Sequence, residues 1–113
     1  MSLALPDPHP PPSLLELLTL LEEDDHLDLL ALLAEGRMTL GDASRRLRRA
    51  SPAVERRLAA LERTGLITRE VCHPGTPMYS LTSSVQAQLR SMRVRLTFIT
   101  SDAVSHIIEI ERP

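Results

Sequence analysis

Between Arg37 and Arg69 the chain carries nine arginines, at positions 37, 45, 46, 48, 49, 56, 57, 63 and 69, against only Asp42, Glu55 and Glu62. A guanidinium stays charged at any physiological pH and offers a planar fork of donors, which matches phosphate oxygens and the O6/N7 edge of guanine. The chemistry these residues suit is therefore the binding of a polyanion. Around them the balance differs: residues 1 to 36 hold eight acids and no Arg, and residues 70 to 113 hold four of each, so the three segments carry −8, +6 and 0. A formal charge of −2 spread evenly would oppose nucleic acid, whereas a local +6 gives a field that can face a phosphate backbone. All 13 basic residues are Arg, which reads first as coding bias.

Other chemistries find less support. The single cysteine, Cys72, excludes an intramolecular disulfide and the four-ligand zinc clusters of small domains, and it reads as a small strand residue in a reducing compartment. His9 and His26 have no partners by spacing and read as surface groups. No Gly-rich phosphate loop, paired-carboxylate site or Ser/His/Asp arrangement is visible, so neither an enzyme nor a cofactor is expected.

The elements that must position the arginines follow from patterning. At 113 residues with 42% hydrophobic and 2% aromatic content, the chain suits one Leu-packed, mainly α domain with a small β-wing. Residues 1–12, with LPDPHPPP, form a proline-rich arm; 13–92 form the domain; 93–113 form a self-association element. The arm lacks a basic signal-peptide region and prolines break its apolar stretch, so no membrane span is expected and the reading is cytoplasmic.

Ser13 and Glu16 fit a capping box for a first helix, and Asp24 or Asp25 a cap for a second from His26 to Glu35. Leu29, Leu32 and Leu33 lie off the apolar stripe of that helix and argue for self-association. Arg37 to Thr39 suits a bridging strand, and Thr39 with Asp42 caps a helix over 40–49. Ala50-Ser51-Pro52 breaks that helix and restarts another. There Val54, Leu58 and Leu61 face inward, while Pro52, Arg56, Ala59 and Arg63 face outward. Gly65 ends it. Leu66 to Val71 and Met78 to Leu81 alternate with period two around a Pro- and Gly-rich turn, the pattern of a β-hairpin. Thr82 is expected to cap a helix through Met92. Beyond it a β-hairpin of 93–100 and 104–111 is favoured for its β-branched content, with a long helix as the alternative.

The run LLALLAEGRMTLGDASRRLRRASPAVERRLAALERTGLITREV, followed by PGTPMYSLT, resembles the ArsR, HxlR and MarR-like winged helix-turn-helix transcription regulators over roughly residues 26 to 92. The resemblance implies Ser51, Pro52, Glu55, Arg56 and Arg57 near base edges, and Arg45, Arg46 and Arg49 on phosphates. Arg63 continues the same outward face, and Arg69 and His73 belong to the wing. Glu55 departs from the expected pattern, because a carboxylate near the groove repels phosphate. The spacing of Asp102, His106 and Glu109 resembles the C-terminal helix site of zinc-sensing ArsR relatives, but only on a continuous helix, so no metal is assigned. The implied function is that of a homodimeric, sequence-specific regulator, of repressor type, on a pseudo-palindromic operator in double-stranded DNA. An effector is left undefined. The alternative is a winged helix that serves as a protein-interaction module.

Overall fold

The computed structural model describes residues 10–23, 25–73 and 75–111, with the side chains of Cys72 and His73, like His9 and most of the proline-rich arm, outside that description. Four helices, α1 (Leu14–Leu21), α2 (His26–Ala34), α3 (Leu40–Leu47) and α4 (Ser51–Arg63), precede five strands. Two of the expected caps form. Ser13 accepts from the Glu16 backbone N–H at 3.2 Å, and Thr39 and Asp42 make a complete capping box. A third does not: Asp25 occupies the position before α2 with a left-handed φ of 73° and makes no side-chain cap.

Helix α2 is the centre of the molecule. Leu29 to Leu33 are all buried, the leucines off the expected stripe included, because α1, α3 and α4 pack on it together with the strands described next. His26, expected at the surface, is buried as well, and its Nδ1 lies 2.7 Å from the Leu20 carbonyl oxygen. The ring thus adds a second partner to a carbonyl in the last turn of α1 that already accepts from the Glu23 N–H at 3.2 Å, a contact that sequence spacing does not reveal.

Strands β1 (Ile67–His73) and β2 (Thr76–Leu81) form the expected hairpin. The short strand before α3 bridges to it through Met38 and Tyr79, whose N–H groups donate to each other's carbonyls at 3.0 and 2.8 Å. Gly65, at φ 81°, lets the chain reverse from α4 into this hairpin. The expected helix from Thr82 to Met92 is absent. Thr82 instead donates its hydroxyl to the Gly65 carbonyl at 2.7 Å, and the chain continues as β3 (Val85–Leu89). The sequence VQAQL fits both a helix with apolar i and i+4 positions and a strand with period two. Pairing with the next strand decides in favour of the strand.

That next strand, β4 (Arg93–Ile99), and β5 (Ser105–Glu111) form the favoured hairpin rather than the long helix, and β3-β4-β5 is an antiparallel sheet without register shifts. Its inner face sends Val85, Val94, Leu96 and Phe98 into the core shared with α2 and α4. Its β4–β5 turn docks on the start of α1, where Asp102 Oδ1 accepts from the Leu14 N–H at 3.1 Å and Ser101 N–H donates to the Pro12 carbonyl at 2.9 Å.

Candidate nucleic-acid interface

Helices α3 and α4 meet at a tight turn, Arg48 to Ala50, in which Arg48 adopts a left-handed φ of 56°. A non-glycine residue there turns the chain abruptly and holds its own side chain in solvent. Ser51 then donates to Ser44 Oγ at 3.3 Å, which pins the start of α4 to α3. Val54, Leu58 and Leu61 are buried as the spacing predicts. Ser51, Pro52, Glu55, Arg56 and Arg63 are exposed on the other side of the helix. This is the order and exposure of a helix-turn-helix whose second helix is free to enter a groove.

The arginines of the motif fall into two groups. Arg46 pairs with Glu35 at 3.1 Å, Arg45 with Asp42, and Arg69 of β1 with Glu62 at 3.9 Å. Asp25 receives two partners, Arg49 Nε at 3.2 Å and Arg57 Nε at 3.5 Å, and its side chain is only 11% exposed. Arg57 also donates to the Ala53 carbonyl at 3.2 Å, so it lies along its own helix. Among the described residues no carboxylate pairs with Arg48, Arg56 or Arg63. Exposed ion pairs are each worth about 0–1 kcal/mol, so a phosphate can displace Asp42 or Glu35 from its arginine at little cost. Asp25 is a firmer partner, because it is largely withdrawn from water and binds two guanidiniums.

Asp42 has its carboxyl held below the ordinary carboxylate range, first by hydrogen bonding from the Thr39 backbone N–H and side chain and then by Arg45. Its charge therefore persists in the first turn of α3. Sequence patterning singles out neither Arg48 nor the bridging role of Asp25: Arg48 sits in a run of four similar arginines, and Asp25 has the position of a helix cap. The His73 side chain lies outside the described residues. The backbone of His73 ends β1 at a bulge opposite Thr76.

The cation-site candidates separate. Asp102 sits in the β4–β5 turn and caps α1, and Glu109 is held by Arg95 at 2.6 Å. His106 and Glu109 are three apart on one strand and so point to opposite faces of the sheet. The spacing of a shared helical face has no meaning on this strand. Among the described residues no group of three potential ligands converges, and no helix is long and apolar enough to cross a membrane.

Residues 13–68 match the family described as winged helix-turn-helix DNA-binding. Two solved structures of HlyU are similar to the chain. Reduced HlyU from Vibrio cholerae N16961 has a TM-score of 0.57 and 28% identity, over 62% of this chain and 73% of that one. The transcriptional regulator HlyU from Vibrio vulnificus CMCP6 has a TM-score of 0.56 and 28% identity, over 61% of this chain and 71% of that one. No curated protein matches the chain. The winged helix-turn-helix architecture expected from the sequence is borne out, and residues 13–68 are a DNA-binding domain of that kind.

Proposed function

We propose that this winged helix-turn-helix protein regulates transcription as a homodimer, placing one α4 from each copy in successive major grooves of a pseudo-palindromic operator, and acts as a repressor by occupying it. The observation that carries the reading is the outward face of α4, where Arg56 and Arg63, like Arg48 of the preceding turn, are exposed and have no acidic partner among the described residues. Arg56, with Ser51, Pro52 and Glu55, reads base edges, while Arg45, Arg46, Arg49 and Arg63 meet phosphates and Arg69 approaches from the wing. The similarity to a transcriptional regulator from Vibrio vulnificus supports the same role. The test is a fluorescence titration of the chain against DNA from upstream of its own gene. Affinity is expected to fall with salt by about 0.9 log units per log unit for each phosphate neutralised. A flat salt response removes the DNA reading.

A second reading is a protein-interaction module with no functional DNA contact. Its support is that Arg45, Arg46, Arg49, Arg57 and Arg69 all have carboxylate partners within the chain, as a solvated charged face does. That reading gains if no upstream fragment binds more tightly than random duplex.

A further inference from the structure

Strand β5 is the open edge of the C-terminal sheet, and its hydrogen-bonding groups can be assigned from the ladder. Thr100 N–H donates to the Val104 carbonyl at 3.1 Å, in the same register that pairs Ile99 with Ser105. Hydrogen-bonded and non-bonded pairs alternate along an antiparallel ladder. His106, Ile108 and Ile110 therefore exchange bonds with β4, while Ser105, Ile107, Glu109 and Glu111 turn their N–H and C=O groups outward. Among the described residues no backbone bond reaches those outward groups.

Edge strands are normally blunted by proline, lysine, a bulge or shortness. β5 has none of these: it runs seven residues, in unbroken register, with Ile107 58% exposed, and of its two charged side chains, Glu109 and Glu111, the first is already paired with Arg95. The opposite edge, β3, is protected by contrast, being five residues long with its Val85 N–H already bonded to the Thr82 carbonyl.

We infer that β5 pairs with β5 of a second copy, antiparallel about a two-fold axis at Ile108, joining two sheets into one of six strands. The register follows from chemistry. An axis at Ile108 uses every outward group of the strand, sets Ile107 opposite Glu109 and Ser105 opposite Glu111, and brings the half-buried Ile108 against its own copy on the core side. An axis at Glu109 faces two carboxylates directly, which is destabilising. An axis at Ile107 leaves Glu111 unpaired. Glu109 is compatible with the contact because Arg95 holds it at 2.6 Å on its own sheet. The inference names the interface of the homodimer proposed above and does not depend on DNA binding, so either can fail alone.

Sedimentation velocity of the full chain at micromolar concentration is expected to show twice 12.6 kDa. Ile107→Pro removes an outward donor without breaking a β4–β5 bond, and is expected to weaken dimerisation at least tenfold with an unchanged far-UV spectrum. In a Cys72→Ser background, Ile108→Cys is expected to crosslink under mild oxidation. Cα atoms of a non-hydrogen-bonded pair lie about 4.5 Å apart, within disulfide range. Gln86→Cys, on β3, is expected to stay uncrosslinked. A monodisperse wild-type monomer, a fully dimeric Ile107→Pro chain, or an Ile108→Cys chain that does not crosslink overturns the inference. Should Ile107→Pro lose its fold, the crosslink decides.

Discussion

At the scale of single residues, Asp25 has the largest consequence. It holds a left-handed backbone conformation that costs a non-glycine residue about 1–2 kcal/mol, and its carboxylate joins the α3–α4 turn to α4 through Arg49 and Arg57. Asn tolerates the same backbone and keeps the shape without the charge. Asp25→Asn is expected to steepen the salt dependence of DNA binding by up to about 0.9 for each arginine it releases to a phosphate. It should also bind random duplex more tightly and lose discrimination, as measured by the ratio of specific to random affinity. An unchanged slope and ratio would show that this bridge does not lie beneath the DNA. Arg56→Ala should weaken specific binding by about 1–3 kcal/mol while sparing random duplex, whereas Arg46→Ala should weaken all sequences alike. Equal losses on both DNAs in both variants would take Arg56 out of base reading. The Thr39–Asp42 box and the buried stripe of α4 were legible because each depends on residues within a few turns of one helix. Asp25 was not, because its partners lie 24 and 32 positions ahead in the chain.

Among the elements, the β4–β5 turn ties the last hairpin to the first helix through Asp102. Hydrogen bonds from the Thr100 side chain, its own backbone N–H and Leu14 N–H all favour the carboxylate and hold the Asp102 pKa below the ordinary value. A lowered folded-state pKa means that the stabilisation is present above the unfolded value and is lost as pH falls through the folded one, below roughly pH 4. Thermal denaturation between about pH 5 and pH 2.5 is therefore expected to show a shallower acid decline in Asp102→Asn than in the wild type. Parallel declines would show that the turn adds nothing. Near the turn of the same hairpin, Phe98 is 1% exposed, and Phe98→Ala should cost about 3–5 kcal/mol in urea unfolding. A loss below about 1 kcal/mol would mean that the sheet is a loose appendage.

For the whole molecule, the buried Val94, Leu96 and Phe98 of the C-terminal hairpin complete the core around α2. A chain ending at Met92 is expected to lose cooperative unfolding rather than leave an intact helix-turn-helix, and differential scanning calorimetry would reveal this. A sharp transition in the truncated chain would mean that the winged helix is self-sufficient. This dependence also changes the reason for expecting a dimer. Leu29, Leu32 and Leu33 suggested apolar surface in need of a second copy, yet the C-terminal sheet of the same chain helps cover them. The case for self-association now rests on the edge of β5 and on Leu15 and Leu18, which α1 leaves exposed. The sequence alone determined the helix-turn-helix, its capping, the inward and outward faces of α4 and the first hairpin, because periodicity, caps and turn residues act over a few positions. The tertiary structure alone decided three further things. Val85 to Leu89 became a strand because β4 lay ready to pair with it. His26 became buried because the packing of α2 on α1 sets its ring against the last turn of α1. Asp102, His106 and Glu109 were parted because a strand sends residues three apart to opposite faces.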